Sequence, residues 1–201
     1  MKNCKRSRRQ VAGFTLIELM IVLLILAILV GVAVPSFGSL MKKNNIDALQ
    51  AKLTSAVGTA RSEAASRNVP TSICLTANYS TCATVASTNW SAGWIVFSDP
   101  NGDGVIDAGE EIIDVFENTH NGYTIKMNPS AFFVTFSTQG FVLNGGESTV
   151  TVCDPDATSG ATSSFAKGLY VAASGLIVKT GDQDNNGLHN DPSGGADLTC
   201  L

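Results

Sequence analysis

One apolar stretch near the N-terminus constrains the fold more than any other feature of the sequence. Residues 14–34 contain only two polar side chains, those of Thr15 and Glu18. A helix of this length measures about 30 Å, which matches the hydrocarbon core of a bilayer. Residues 1–13 hold five cations and no acid, a distribution that keeps the N-terminus cytoplasmic and exports the remainder. The pattern therefore predicts a transmembrane helix over residues 14–35, followed by an exported body.

A cleaved secretory signal is the alternative interpretation of this stretch. The apolar run is longer than the roughly 7–15 residues of such signals, and no A-x-A cleavage site follows it.

Glu18 needs an explanation, because a carboxylate inside a bilayer is costly and usually functional. No Lys or Arg of the chain lies at the same depth. A cut after Gly13 would free the α-amino group of Phe14 one helical turn away, and a neighbouring molecule's amine could serve equally well.

The charge of the body argues against nucleic-acid binding. The chain's net charge is −4 and residues 1–13 contribute +5, so the remainder carries −9. From residue 42 onward there are eight cations against 16 acids, and the last 20 residues contain no Lys or Arg. Because affinity for nucleic acid depends on neutralising phosphates, a nucleic-acid partner is not expected.

Four of the five cysteines follow the apolar stretch, and an even set in an exported body predicts two disulfides. Three pairings are possible from the sequence. If Cys74 pairs with Cys82, it closes a short loop, and Cys153 with Cys200 would then pin the C-terminus. Zinc is the competing interpretation, although no CxxC or histidine partner supports it.

The body begins with a second helical pattern. Apolar residues recur three or four positions apart over residues 44–67, which predicts an amphipathic helix that ends before Pro70. Residues 68–201 alternate short β-branched and aromatic runs with polar loops at 77–91, 154–166 and 181–199, which predicts a globular β domain. We expect an α+β fold, with residues 14–67 as one long helix packed on an antiparallel two-sheet sandwich. The predicted strands are 71–76, 93–98, 111–117, 123–127, 132–137, 148–153, 168–174 and 176–180.

Residues 99–110, "DPNGDGVIDAGE", follow the spacing of a twelve-residue calcium loop, with glycine at position 6. The flanking segments are predicted strands, so an Asp/Asn/Gly-rich hairpin loop is the alternative. A second stretch, residues 182–191, has possible ligands at positions 1, 3 and 5 of such a loop but lacks the acid at position 12. Calcium is the one cofactor that the sequence suggests. The candidate ligands in the first loop are Asp99, Asn101, Asp103, Asp107 and Glu110.

The leader and the sequence "GFTLIELMIVLLILAILVGVAVP" resemble the class III signal of type IV pilins and type II secretion pseudopilins. The resemblance implies that residues 1–13 are a leader peptide, that a prepilin peptidase cuts between Gly13 and Phe14, and that Phe14 is then N-methylated. It implies that Glu18 guides assembly by neutralising the Phe14 amine of an adjacent subunit. Pro35 matches the position of a helix kink in that family.

Further segments resemble the FimT/FimU and GspH group of minor pilins and pseudopilins: "ARSEAASRN", "PTSICL", the cysteine at 82, and "GWIVFSDPNGDG". This resemblance implies a long helix packed against a β-sandwich. It implies a non-catalytic type IV minor pilin that helps prime pilus assembly at the tip, and the sequence contains neither GxSxG nor HExxH. The alternatives are a GspH-like minor pseudopilin of type II secretion and, disfavoured by charge, a DNA-binding pilin for DNA uptake.

The same resemblance implies partners and location. The expected partners are prepilin peptidase, other minor and major pilins, the inner-membrane assembly platform and, before assembly, membrane lipid. The expected location is the inner membrane, with one span, a cytoplasmic N-terminus and a periplasmic body, and then the extracellular pilus.

Overall fold

The structure is a computed structural model that describes residues 14–118, 120, 122–144, 146–157, 161–192 and 195–200, without the side chains of 32–36, 88 and 161. The predicted leader, residues 1–13, lies outside the described residues. The chain divides into two compact units, Met1–Met41 and Lys42–Leu201.

Helix α1, Leu16–Arg67, has recognisable signals at both ends. Thr15 caps its start, because the Thr15 hydroxyl accepts a hydrogen bond from the Glu18 backbone N–H at 3.3 Å. Its end is marked by Asn68, whose φ of 54° is the left-handed conformation common just after a helix, and by Pro70 shortly beyond. The predicted helix, residues 14–67, is confirmed to within two residues at its start.

The β-strands follow α1 in the described chain, separated by turns and loops, and pair in antiparallel fashion. One sheet has four strands in the order β4-β3-β1-β6, a second has five in the order β10-β9-β7-β5-β2, and β11 pairs with β8. All eight predicted strands are confirmed, within four residues at each boundary. The strands are β1 Thr71–Leu75, β2 Ser87–Asn89, β3 Gly93–Ser98, β4 Ile112–Glu117, β5 Thr124–Ala131, β6 Phe133–Phe136, β7 Ser148–Cys153, β8 Ala161–Thr162, β9 Lys167–Val171, β10 Ile177–Lys179 and β11 Thr199–Cys200.

Three short strands were not expected. β2 and β8 lie inside predicted loops, and β11 begins at the end of a third. Elements of two or three residues are too short to show a period-2 pattern, so their pairing is decided by tertiary neighbours rather than by local sequence. β5 also continues through Pro129 to Ala131, further than predicted, since proline within an apolar run normally argues for a strand end.

The core lies between the second half of α1 and both large sheets. The apolar stripe on the second half of α1 is buried, and 4% or less of each of its side chains is exposed. One apolar cluster unites it with Ile73 and Val96 of the four-stranded sheet and with Ile125 and Leu169 of the five-stranded sheet. Burying a Leu or Ile side chain contributes about 1.5–3 kcal/mol, so this stripe fixes the helix on the body. The stripe residues are Ile46, Leu49, Leu53, Val57, Ala60 and Ala64.

Two disulfides cross-link the β domain, one from a strand to a loop and one between two strands. Cys74 of β1 bonds to Cys82 across a separation of 8 residues. Cys153 of β7 bonds to Cys200 of β11 across a separation of 47 residues. The two-disulfide prediction is confirmed, and of the three possible pairings the local one and the one that holds the C-terminal strand are formed.

We expect the two bridges to contribute unequally to stability. A cross-link constrains the unfolded chain more when its loop is longer, which gives about 4 kcal/mol for the 47-residue separation and about 2.5 kcal/mol for the 8-residue one. The double variant Cys153→Ala with Cys200→Ala should therefore lose more unfolding free energy in urea than Cys74→Ala with Cys82→Ala. Equal losses, or none, would contradict this ranking.

Candidate functional site

The first unit presents an apolar surface. Its large apolar side chains over residues 14–30 are exposed, from 45% at Val22 to 83% at Phe14. An apolar surface of this extent marks a site of interaction with lipid or with protein. We name residues 14–31 the assembly segment.

Glu18 is the acidic residue of the assembly segment and lies in the first turn of α1. A carboxylate there is favourable for the helix dipole, and the Thr15 hydroxyl satisfies the Glu18 backbone N–H. The capping role of Thr15 was not predicted, although the Thr-x-x-Glu spacing of a capping box signals it. Glu18 thus combines a local helix-starting position with an exposed charge on an apolar surface.

Other predicted residues of this region remain predictions. Gly13 lies outside the described residues, so the cleavage between Gly13 and Phe14 is not tested. The backbone at Pro35 is helical within α1, while the predicted kink there stays a prediction. In the described part of the chain, no helix combines the length and apolar character required to cross a membrane.

The acidic loop, residues 99–110, is organised around a buried carboxylate. Asp99 is fully buried, and its oxygens accept hydrogen bonds from the N–H groups of Gly102 at 2.8 Å, Asp103 at 3.2 Å and Gly104 at 3.0 Å. The hydroxyl of Ser72 donates a fourth at 2.5 Å. Asp99 is therefore engaged by the loop itself and by β1, which makes it the centre of the turn.

Gly104, at position 6, is required by this turn. Its φ is +74°, a conformation that side chains rarely adopt, and a Cβ here would collide with the ring of Phe133 on β6. The glycine thus allows the loop backbone to lie directly against the four-stranded sheet. The turn interpretation of the "NGDG" sequence is consistent with this geometry.

The remaining candidate ligands meet at the loop surface. The amide nitrogen of Asn101 donates to carboxylate oxygens of Asp103 and Asp107, at 3.1 Å each, and the Asp107 N–H donates to Glu110 at 2.9 Å. Across the residues described, no three His, Cys, Asp or Glu side chains are grouped so as to hold a metal ion. The structure brings the candidates into one loop but gives Asp99 a hydrogen-bonding role, and calcium binding stays a prediction.

The second acidic stretch gains a carboxylate from outside its own sequence. The amide nitrogen of Asn186 donates to Asp184 at 3.0 Å and to Asp197 at 3.1 Å. Asp182 accepts from the Gly187 N–H at 3.0 Å. Asp197 lies beyond residues 182–191, so spacing within that stretch did not reveal it.

The acids of the first loop repel one another. The pKa of Glu110 is raised, first by partial burial and then by the negative charges of Asp99, Asp107 and Asp103, while the Asp107 N–H opposes the shift. The charged form of Glu110 is therefore disfavoured in the folded loop.

Partial burial of Glu110, together with this repulsion, predicts a pH dependence of stability. Because the folded-state pKa of Glu110 lies above the ordinary 4.5, the folded chain holds a proton that the unfolded chain has released, and the free energy of unfolding falls as pH rises through that window. Glu110→Gln should be more stable than the parent at pH 7, by up to about 0.5 kcal/mol, and equal to it below the window. Glu117→Gln on β4 is the control for removing one negative charge. A gain no larger than the control's would contradict the loop-specific repulsion.

The calcium prediction has its own test. Calorimetric titration of calcium into the protein should give saturable heat if the loop binds the ion, and Asp107→Asn should weaken the binding because a ligand charge is lost. Asp114→Asn, outside the loop on β4, is the matched control. Heat equal to that of dilution would end the calcium hypothesis.

The two histidines of the chain, His120 and His189, make structural contacts. His189 Nδ1 lies 2.9 Å from the carbonyl oxygen of Thr180, and the ring of His120 packs edge-on against Tyr123 at 6.1 Å between centroids. These contacts hold loops in place.

Two family models match the chain. Residues 50–175 match the model described as Type II transport protein GspH, which covers the C-terminal third of α1 and most of the β-strands. Residues 8–34 match the model described as Prokaryotic N-terminal methylation motif, which covers the end of the predicted leader and the assembly segment. A comparison with curated proteins gives no match.

Two solved structures share the fold. Both are crystal structures of the type IV minor pilin FimU of Pseudomonas aeruginosa PAO1. The form in space group P21 superposes with a TM-score of 0.53 at 19% identity, over 81% of this chain and 99% of that one. The form in space group P65 gives 0.52 at 20% identity, over 77% and 99%. At this identity the likeness shows the fold, a long helix packed on antiparallel sheets.

Proposed function

Because the chain belongs to the Type II transport protein GspH family, we propose that it is a type IV minor pilin that helps prime pilus assembly at the tip. The proposed role is structural and non-catalytic. It includes processing by a prepilin peptidase, contact with the inner-membrane assembly platform and with lipid before assembly, and then contact with other minor and major pilins.

One observation supports this proposal most directly. The two halves of α1 differ in what covers them: the stripe from Ile46 to Ala64 is buried by the sheets, whereas the apolar side chains of the assembly segment are exposed. A helix half that its own unit leaves uncovered needs an external apolar environment. Bilayer lipid before assembly and the helices of neighbouring subunits afterwards would both supply it.

We propose that Glu18 directs the transfer of the assembly segment from bilayer lipid to the helices of neighbouring subunits. Removal of residues 1–13 would leave a free amine on Phe14, and a charged carboxylate in lipid is costly without a partner. Pairing between the Glu18 carboxylate of one subunit and the Phe14 amine of the next would lower that cost on assembly. The proposed ion pair thus favours the filament over the isolated membrane subunit.

The second candidate is a minor pseudopilin of type II secretion, which the description of the matching family favours. Both machines would use the same processing and the same ion pair, so they differ in partner subunits rather than in chemistry. We prefer the pilus because the early pair Cys74–Cys82 resembles the pilus branch of the group. A role in DNA uptake is disfavoured by the excess of acids over cations in the body.

The charge of Glu18 can be separated from its place in the helix cap. Glu18→Gln removes the charge and keeps the backbone N–H that bonds to Thr15, whereas Thr15→Ala removes the cap and keeps the charge. We expect Glu18→Gln to leave export and leader cleavage intact and to reduce the amount of protein recovered in sheared filaments. Thr15→Ala should cost about 1 kcal/mol of helix stability and reduce incorporation less.

Immunoblots of sheared filament and membrane fractions would measure both variants against the parent. Normal incorporation of Glu18→Gln would contradict the ion pair, and equal loss in both variants would assign the effect to helix capping instead.

A further inference from the structure

Two neighbouring turns of the body carry three exposed apolar side chains. Phe141, Leu143 and Leu176 are 53%, 57% and 57% exposed. The turns that carry them touch, because the N–H of Val142 donates to the carbonyl oxygen of Ala173 at 3.0 Å. We name these three side chains the turn patch.

The backbone directs the patch outward. Val142 forms a bridge with Phe136 at the edge of the four-stranded sheet and packs against the core. Successive residues of an extended segment point to opposite sides, so the neighbours Phe141 and Leu143 face away from the core. The N–H of Leu143 is fixed by the carbonyl of Thr135 at 2.9 Å. The exposure therefore results from ordered backbone pairing.

Two glycines and one arginine fix the turns against each other. Gly140 and Gly175 have φ values of +80° and +76°, and a Cβ on Gly175 would collide with the Gly140 carbonyl oxygen. The Nε of Arg61 on α1 donates to that same oxygen at 3.2 Å. The turn patch is thus pre-organised, which lowers the entropy cost of binding a partner.

A groove of about 450 Å³ lies beside these turns. Its helix wall consists of the small residues Gly58, Ser62 and Ala65, and its other wall includes Gln139 and Ile177. Small residues on a helix allow a partner to approach closely, so the groove has room for a large side chain.

Arg61 gives the groove its charge. It forms none of the ion pairs among the described residues, whose cations are Lys42, Arg67 and Lys167. Among the described residues Lys43, Lys52, Lys126 and Lys179 form none either, but Arg61 is the charged residue among those that line this groove. A guanidinium in such a place recognises a carboxylate.

We propose that the turn patch and the Arg61 groove form a docking surface for a neighbouring pilin-class subunit, which inserts an acidic side chain flanked by apolar ones. The choice of a subunit as the partner rests on the proposed function. The carboxylate would pair with Arg61, and the apolar neighbours would cover Phe141 and Leu176. An anionic membrane is disfavoured because the excess of acids repels it, and the same self-repulsion disfavours a second copy.

Site-directed photo-crosslinking of the full-length chain in the producing cells tests the proposal. A benzophenone side chain at position 176 should crosslink to a different protein that carries an N-terminal methylation motif. The matched control is position 85, where Val85 is 73% exposed in another loop and should give no such product. Arg61→Glu should lower the crosslink yield at position 176 by about tenfold, whereas Arg61→Lys should retain most of it. In the Arg61→Glu chain, replacing the acid of the crosslinked partner peptide by Arg should restore the yield.

A separate variant tests whether a lower crosslink yield results from loss of folding. Leu143→Ser changes an exposed side chain, so it should reduce the yield without lowering the melting temperature or the protease resistance. The proposal is overturned by no product at position 176, by an equal product at position 85, or by a product that contains lipid or a second copy. If the chain with the benzophenone at position 176 and no other change enters filaments normally but gives no product, this inference alone is defeated. Normal incorporation of Glu18→Gln with the crosslink retained defeats only the ion pair of the proposed function.

Discussion

The packing of the second half of α1 against two sheets is the contact on which the rest of the body depends. The stripe from Ile46 to Ala64 shares one apolar cluster with residues of both sheets, so each sheet covers its inner face by contact with the same helix. Because neither sheet could bury that face alone, the helix determines how the two are brought together. The disulfide Cys153–Cys200 then holds the C-terminal strand to the five-stranded sheet.

Helix α1 also explains why the two units of the chain differ in how their apolar side chains are covered. Its second half completes a core, whereas the assembly segment exposes apolar side chains that its own unit does not bury. Under the proposed function, lipid or other subunits would cover that segment, as expected of a filament protein anchored before assembly. Glu18 is the single acid of the segment, and we propose that its charge makes the choice between these environments selective.

Long and periodic elements were predictable from the sequence, and contacts made across the fold were not. The stripe on α1, eight of the eleven described strands and the presence of two disulfides followed from spacing and composition, whereas the pairing of the cysteines was left open. Asp99 was predicted to be a calcium ligand, but its carboxylate accepts four hydrogen bonds, three from the loop backbone and one from Ser72. Asp197 and the turn patch were missed for the same reason, since tertiary pairing brings distant segments together there.

The processed N-terminus is the feature on which the proposed function rests, because only a cut after Gly13 creates the amine that Glu18 is proposed to meet. Intact-mass and N-terminal peptide analysis of protein purified from the producing cells measures it directly. The account predicts mature protein that begins at Phe14 and carries one N-methyl group. Mature protein that retains residues 1–13 would contradict it.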